Sequence, residues 1–212
     1  MFRLALGVMT LVLAACSPSD GQDEPGAPQV ITAEIVTSLG VIGLELHPDA
    51  APVSVANFIA HAEAGHLDGG SFYRAVRPDN DRAGIEPMHL IQGGYGFDGL
   101  PDAQGIEHET TARSGLSHVR GAVSMARNEP GTATTEFFIM VEDYPGLDAG
   151  PGRRNPDEAG YAVFGQVVSG MDVVEAIAAQ DTSADSAPAD FPYPQFLVRP
   201  VTIEQVRILE GP

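Results

Sequence analysis

The stretch GAVSMARNEPGTATTEFFIMV, residues 121–141, decides the fold. Two short apolar runs, Gly121–Met125 and Phe137–Val141, lie on either side of a polar loop that contains glycine and proline. Runs of this length, bounded by turn-forming residues, are typical of strands rather than helices. We therefore predict two strands here, joined by a loop.

The same pattern recurs on both sides of this stretch. Two such runs, Val30–Thr37 and Val41–Leu46, lie on either side of Ser38-Leu39-Gly40 and are predicted to pair as a hairpin. Six further β-rich runs bring the predicted number of strands to eight: Val30–Thr37, Val41–Leu46, Ser71–Val76, Met88–Gln92, Ala162–Val167 and Val201–Leu209.

Two segments have the periodicity of helices instead. Pro52–Ala64 carries apolar residues at i, i+3, i+4 and i+7, with Pro52 in its first turn and Gly65 after its end, as expected of an amphipathic helix. Met171–Ala179 is predicted to be the second helix. Eight short strands with two helices indicate a mainly β fold, a closed antiparallel barrel that leaves no strand edge exposed. Periodicity alone does not separate a barrel from a sandwich.

Composition and charge exclude some classes of function. The chain has 212 residues with a formal net charge of −18, from 29 acidic and 11 basic residues. An acidic surface repels phosphate, so we expect no binding of nucleic acid. Every basic residue is arginine, so no lysine is available for Schiff-base chemistry.

The N-terminus predicts export. Met1-Phe2-Arg3, an apolar run to Leu13 and Ala14-Ala15 before Cys16 have the order of a secretory signal. The segment before Cys16 also resembles the lipobox of bacterial lipoproteins, which implies acylation of Cys16. We expect a signal peptide over 1–15, a flexible tether over 16–29 and one domain over 30–212. The alternatives are an ordinary signal peptide with an incidental cysteine, or a plain N-terminal helix.

Several segments in order along the chain resemble the cyclophilin family. The resemblance covers about residues 30–209, and it implies an eight-stranded antiparallel barrel capped by two helices. It is carried by Ser71–Val76, Leu90–Gly94, Gly121–Ala126, Thr135–Ile139, Ala162–Met171, the opening hairpin and Ala51–Phe58.

This resemblance implies a peptidyl-prolyl cis/trans isomerase, which needs no metal or cofactor. Rotation about an X–Pro bond is slow because amide resonance must be broken, and a catalyst has to bind the twisted amide better than either planar form. Arg74 matches the catalytic arginine of the family, whose guanidinium donates to the prolyl nitrogen. Gln92 matches the glutamine that binds the substrate backbone and orients this arginine.

The substrate-binding positions follow from the same resemblance. Phe138, Met125 and Leu147 match the apolar pocket for the proline ring. Ala126 and Arg127 match the segment whose backbone pairs with the substrate peptide.

Three further pocket positions depart from the family pattern. In this register a pocket phenylalanine is replaced by His89, a histidine by Tyr161 and a glutamine by Glu136. The chain also has no tryptophan, so we expect weak sensitivity to cyclosporin. A carboxylate at Glu136 would favour a cationic or amide-rich peptide.

Three loops are long enough to be functional. They are 77–87, 95–120 and 146–160. His108, Glu109 and His118 lie in the second, where their spacing fits no metal site; we expect a mobile polar loop instead.

The function predicted from these observations is isomerisation of X–Pro bonds in exported proteins by a monomer. The protein would be lipid-anchored on the periplasmic side of a bacterial envelope, and Ser17 favours the outer membrane. One alternative is a module that binds proline-containing segments without turnover. Another is a structural envelope lipoprotein whose barrel only carries charged loops.

Overall fold

The computed structural model describes residues 29–189 and 191–210. No helix in this part of the chain is long and apolar enough to cross a membrane. The elements follow in the order β1 (Ile31–Thr37), β2 (Gly40–Leu46), α1 (Pro52–Glu63), β3 (Ser71–Val76), β4 (Leu90–Gly94), α2 (Thr111–Ser114), β5 (Ala122–Met125), β6 (Phe137–Met140), β7 (Ala162–Ser169), α3 (Met171–Ala178), β8 (Thr182–Ser183) and β9 (Phe196–Glu210).

Eight of these strands close into an antiparallel barrel. Their order is β1-β2-β7-β5-β6-β4-β3-β9, and β9 pairs back onto β1. The two-residue strand β8 pairs with β9 outside this ring. The prediction of a closed eight-stranded antiparallel barrel is confirmed, with β8 as a small addition that the sequence pattern did not reveal.

Strand β9 closes the barrel because it pairs with two neighbouring strands, one along its beginning and one along its later part. Its beginning pairs with β3, where Phe196 lies opposite Arg74. Its later part pairs with β1, where Val206 lies opposite Ile35. A strand of 15 residues is long enough to bend from one neighbour to the other, and this places the residues before Phe196 next to Arg74.

The predicted opening hairpin is confirmed. Strands β1 and β2 pair from Ile31 opposite Leu46 to Thr37 opposite Gly40, and the Thr37 hydroxyl donates to the Gly40 carbonyl at 2.8 Å. Gly40 has a φ of +140°, and a Cβ built on it would lie 2.7 Å from Cγ2 of Val173. Glycine is therefore needed where α3 packs against this turn.

The barrel interior is apolar and aromatic. The ring of Phe58, on α1, packs edge-on against Phe137 at 5.6 Å between centroids, and its ring is tilted by 42° against Phe164 at 5.4 Å. Phe72 packs edge-on against Phe137 from β3. Helix α1 thus caps the barrel by placing an aromatic side chain against inward-facing residues of β6 and β7.

The prediction of two helices is incomplete, because the described chain contains a third, α2, in the long loop over 95–120. Its four residues end at Gly115, which has a φ of +74°. The two predicted helices are present as α1 and α3. Helix α2 could not be predicted from periodicity, since one helical turn is too short to show it.

Glu109 shows that the loop before α2 is ordered by a specific contact. Its side chain is buried and accepts hydrogen bonds from Val53 N at 3.1 Å, Ser54 N at 2.8 Å and the Ser54 hydroxyl at 2.7 Å. A carboxylate at a helix N-terminus satisfies the free N–H groups and complements the helix dipole. The expectation of a mobile polar loop is wrong for this residue.

Candidate functional site

The side chain of Arg74 is held by two glutamines, one on β4 and one just before β9. Its Nη1 donates to Gln92 Oε1 at 2.7 Å, since Gln92 lies opposite Arg74 in the β3–β4 pair. Its Nε and Nη2 donate to Gln195 Oε1 at 3.0 and 2.6 Å. Gln195 directly precedes β9, so the closure of the barrel brings it to Arg74.

An aromatic ring covers one side of this guanidinium. The Cζ of Arg74 lies 5.1 Å from the centroid of Phe191, within the range of a cation–π contact. Burial lowers the pKa of Arg74 from its ordinary value, yet that value is so high that the group stays charged at neutral pH. A fixed cation with few conformations is therefore built into the site.

Arg74 retains hydrogen-bonding capacity toward the cleft. A guanidinium has five N–H groups, and three of them are used by the two glutamines. The other two remain for a ligand in the adjoining cleft, which has a volume of about 380 Å³ and is lined by Arg74.

The cleft wall opposite Arg74 is apolar. Strand β6 alternates: Phe137 and Ile139 belong to the barrel core, whereas Phe138 and Met140 belong to a second cluster outside it. Phe138 packs edge-on against Tyr161 at 5.3 Å. The cleft is lined there by Met88, Leu90, Phe138, Leu147 and Tyr161. This surface fits a small apolar ring such as that of proline.

A chain of buried polar groups supports this wall from behind. The ring of His118 stacks on Phe138 at 5.7 Å with an interplanar angle of 11°. His118 Nδ1 lies 2.6 Å from Asp148 Oδ1, and Nε2 lies 3.0 Å from the Ser124 hydroxyl. The expectation that His118 lies in a mobile polar loop is wrong, because its side chain is completely buried.

The electrostatics fix the tautomer of His118. Burial lowers its pKa below the ordinary value, although Asp148 opposes the change. The ring is therefore neutral at neutral pH, with Nδ1–H donating to Asp148 and Nε2 accepting from Ser124. The order of groups is that of a Ser-His-Asp hydrolase, but Ser124 and His118 are both 0% exposed. No substrate reaches that hydroxyl, so the chain of bonds supports the pocket.

A second chain of hydrogen bonds leads away from Arg74. Gln92 Nε2 donates to the Tyr73 hydroxyl at 2.9 Å, and this hydroxyl donates to Glu136 Oε2 at 2.7 Å. Burial raises the pKa of Glu136 above its ordinary value, although the hydrogen bonds that its carboxylate accepts oppose this change. Burial also raises the pKa of Tyr73. Gly94 leaves room for this carboxylate, since a Cβ there would lie 2.7 Å from Glu136 Oε1.

The structure brings most of the predicted site residues together. The cleft is lined by Arg74, Gln92, Ala126, Arg127, Phe138, Leu147 and Tyr161. The Arg127 guanidinium does not point freely into it: it donates to Gly160 O and pairs with Asp157, and it lies 5.1 Å from the Tyr161 ring.

Three predicted residues do not line this cleft. His89 lies between two residues that do, Met88 and Leu90, and its own Nδ1 lies 3.7 Å from Glu142. Alternation along an extended segment puts neighbours on opposite faces, so the side chain of His89 faces away from the cleft that Met88 and Leu90 line. Met125 belongs to the barrel core.

Glu136 is the third of these residues, and it lines an adjoining cavity. Its carboxylate oxygens accept from Tyr73, Thr135 and Gly96. They are therefore not free to bind a cationic peptide, and the expectation of such a preference is not supported.

Other cleft residues were missed from the sequence. They include Asp81, Arg82, Arg154, Phe191, Tyr193 and Gln195. The only available signal was the length of the loops over 77–87 and 146–160, which hold the first three. Nothing in the local pattern around Phe191 or Gln195 indicates contact with a residue more than one hundred positions earlier.

No three His, Cys, Asp or Glu side chains within residues 29–189 and 191–210 are placed to bind a metal ion together. The residue predicted to be lipidated, Cys16, lies outside the described residues, as do the predicted signal peptide and nearly all of the tether.

Comparisons with known proteins agree with this geometry. Residues 32–206 match the family model of cyclophilin type peptidyl-prolyl cis-trans isomerases. Peptidyl-prolyl cis-trans isomerase cyp18 of Streptomyces antibioticus is 40% identical over 84% of this chain and 98% of its own. Peptidyl-prolyl cis-trans isomerase A of Dickeya dadantii is 34% identical over 98% of this chain and 97% of its own.

Solved structures show the same fold. A Cryptosporidium parvum cyclophilin type isomerase superposes with a TM-score of 0.64 at 20% identity, covering 87% of this chain and 100% of its own. The same protein in the presence of the dipeptide Ala-Pro gives 0.60 at 21% identity, over 85% of this chain and 99% of its own. From the family match over residues 32–206 and these relatives, the chain belongs to the cyclophilin family and is a peptidyl-prolyl cis/trans isomerase.

Proposed function

We propose that Arg74 is the catalytic residue and that it donates a hydrogen bond to the prolyl nitrogen of the twisted X–Pro amide. The observation that carries this proposal is the fixed guanidinium, with two unused N–H groups, beside an apolar pocket of the right size for proline. When the amide twists, its nitrogen regains a lone pair and accepts a hydrogen bond that neither planar form can accept. Such a contact lowers the barrier because it forms only in the transition state.

Gln92 orients Arg74 in this proposal and retains one N–H for the substrate. Its Oε1 accepts from Arg74 and one Nε2–H goes to Tyr73, while an amide nitrogen has two hydrogens. Ala126 and Arg127 flank the cleft on the side where an extended peptide would lie. The ligand class is the proline-containing peptide segment, and the Cryptosporidium parvum structure in the presence of the dipeptide Ala-Pro supports this class.

Exchange of a short X–Pro peptide between its cis and trans forms, followed by NMR, tests this role. Arg74→Ala should lower kcat/KM roughly 100-fold, the size typical of one lost transition-state donor. Arg74→Lys should lower kcat/KM nearly as much, because a lysine cannot donate to two glutamines and the substrate at once. Arg207→Ala, an exposed arginine on β9, is the control. Unchanged catalysis by Arg74→Ala would contradict the role, and peptide binding without catalysis by the wild type would favour the non-catalytic alternative.

We also propose that the protein is exported, acylated at Cys16 and anchored at the periplasmic face of a bacterial envelope membrane. The support is the order of a basic start, a short apolar run, small residues and a single cysteine. More than one acyl chain gives a stable anchor. The clients are then proline-containing segments of exported proteins, served by a monomer.

Labelling of growing cells with a fatty-acid probe tests the anchor. The wild type should incorporate the probe and sediment with membranes, and Cys16→Ser should do neither. Separation of inner and outer membranes should place the wild type in the outer membrane, and Ser17→Asp should move it to the inner one. Soluble, unlabelled wild-type protein would contradict the anchor. Elution of the solubilised protein as a dimer would contradict the monomer.

A further inference from the structure

The proline cleft continues beyond its apolar wall. Where the loop over 77–87 meets the loop over 146–160, a second cavity of about 570 Å³ adjoins it, and Arg82 and Arg154 line both. We call this second cavity the basic groove and define it by Arg82, Arg153 and Arg154. Ile85, Tyr144 and Pro145 also line it.

The charge of this groove is unusual for the chain. The whole protein has a net charge of −18 and only 11 basic residues in 212, yet three of these line one cavity. Glu86 is the acidic residue that lines it, and its backbone carbonyl accepts from Arg154 and from the Tyr144 hydroxyl. The groove is therefore a local basic site on an acidic protein.

Two of the three guanidiniums are free to bind a ligand. Arg154 is paired with Asp81 at 2.6 Å, and Asp81 also accepts from the backbone N–H groups of Arg82 and Met88. The side chains of Arg82 and Arg153 are exposed. Among the described residues, no carboxylate lies within 4.0 Å of either guanidinium.

A third cavity shares Gln92, Ala126 and Arg127 with the proline cleft and has a different charge. Exposed Asp98 lines it, and Glu136 also lines it, with a carboxylate that already accepts from Tyr73, Thr135 and Gly96. The basic groove is therefore the part of these three joined cavities that has arginines free to bind an acidic group.

From this arrangement we propose that the basic groove is a subsite for an acidic side chain of the substrate, located on one side of the proline. The inference rests on the proposed use of the adjoining cleft for X–Pro segments, because the shared walls of Arg82 and Arg154 make the groove a continuation of that cleft. Arg82 and Arg153 bind the carboxylate, and the apolar floor contacts the methylene groups that carry it.

Two series of peptides test this subsite with the full-length protein. Each peptide holds one X–Pro bond, and either the second residue before proline or the second residue after it is Glu, Gln or Lys. In one series only, kcat/KM for Glu should exceed that for Gln roughly two- to five-fold, the size of one exposed ion pair. The Lys peptide should be the poorest, and added salt should reduce the difference.

The variants decide whether these two arginines cause the preference. Arg82→Gln with Arg153→Gln should bring the Glu and Gln peptides to the same kcat/KM. Arg199→Gln with Arg207→Gln removes the same charge from exposed positions on β9 and should leave the preference intact. Equal rates for Glu, Gln and Lys peptides in the wild type, or a preference that survives the first double variant, would overturn the subsite.

A membrane surface is the competing source of negative charge. If the peptides show no preference, and binding to vesicles of anionic phospholipid is lost in Arg82→Gln with Arg153→Gln, the groove binds lipid and the peptide subsite is refuted. Failure of the proposed catalytic role looks different, since Arg74→Ala would then retain activity toward the Gln peptide.

Discussion

Arg154 and Asp81 form an ion pair across the cleft, with Nη2 2.6 Å from Oδ1 and side chains only 4% and 2% exposed. The pair joins the loop over 77–87 to the loop over 146–160. The same carboxylate accepts from Met88 N at 3.0 Å, and the Arg154 backbone N–H donates to Gly146 O, next to Leu147. The ion pair thereby positions two residues of the apolar pocket.

Breaking this pair should weaken substrate binding more than catalysis. Asp81→Asn or Arg154→Gln leaves a buried charge without its partner, which we expect to lower the free energy of unfolding by about 3 kcal/mol. KM for an X–Pro peptide should rise about tenfold, with kcat nearly unchanged, because the pocket holds proline in both the ground and transition states. Urea unfolding and steady-state kinetics measure the two effects.

The control for this pair is Asp79→Asn, which removes an exposed partner of Arg77 in the same loop and should change little. The double variant Asp81→Asn with Arg154→Gln should lose less free energy of unfolding than the sum of the losses in Asp81→Asn and Arg154→Gln. Strict additivity would show that the two side chains act independently.

The contact between Gln195 and Arg74 should matter for turnover. Gln195→Ala leaves two N–H groups of a buried guanidinium without an acceptor and frees the side chain to leave its catalytic orientation. We expect kcat to fall roughly tenfold, with KM little changed, because the lost alignment counts only when the amide is twisted. Gln205→Ala, an exposed glutamine on β9, should have wild-type kinetics. A change in KM alone for Gln195→Ala would assign it to binding instead.

Glu136 should make the isomerase sensitive to acid. Burial raises its pKa, so it takes up a proton at a higher pH than an ordinary glutamate, and its hydrogen bond to Tyr73 then weakens. Tyr73, Thr135 and the backbone N–H of Gly96 face the carboxylate, and Arg74 is connected to it through Gln92. We expect kcat to fall as the pH drops through this raised pKa.

Two variants isolate this effect. Glu136→Gln keeps an acceptor for Tyr73 but cannot titrate, so its kcat should lose that acid limb. Tyr73→Phe breaks the chain at every pH and should lower kcat throughout, with about 1–3 kcal/mol of lost stability from unpaired buried groups. Identical pH profiles of kcat for the wild type and Glu136→Gln would show that another group governs the acid limb.

His118 should make the stability of the fold depend on pH. Its folded pKa is lowered from 6.5, so between the two values the unfolded chain binds a proton that the folded chain does not. This contribution is complete above about pH 6.5 and is lost as the pH falls. Denaturant unfolding between pH 5 and 8 should show the decline, and His118→Gln should flatten it.

A second histidine sets the control for that measurement. The pKa of His61 is lowered as well, by burial and by the nearby His66, but the pair is exposed. His61→Asn should therefore keep most of the wild-type decline in the free energy of unfolding as the pH falls. If His118→Gln has the same dependence of the free energy of unfolding on pH as the wild type, His118 is not the cause of the decline. Asp148 acts at lower pH: burial raises its pKa, but hydrogen bonds from His118 and Ser117 outweigh this and lower it.

Local pattern was enough to predict the eight barrel strands and the two longer helices, whereas the choice of a closed barrel over a sandwich also needed the family resemblance. Alternating apolar residues specify which face of a strand is buried, and the 3.6-residue period of Pro52–Ala64 specifies α1. The resemblance of short segments to a known family was also enough to pick out Arg74, Gln92 and Phe138, because each lies inside a strand whose neighbours match.

The tertiary structure alone decided what surrounds these residues. Gln195 reaches Arg74 across 121 positions and Asp81 reaches Arg154 across 73, and both contacts depend on where β9 and the loops lie after the barrel has closed. His89 shows the limit most directly, since a shift of one residue moves a side chain to the opposite face of its segment. A sequence read locally specifies periodicity, but the register between distant segments is set by the packing of the whole barrel, and that packing determines which side chains meet at the cleft.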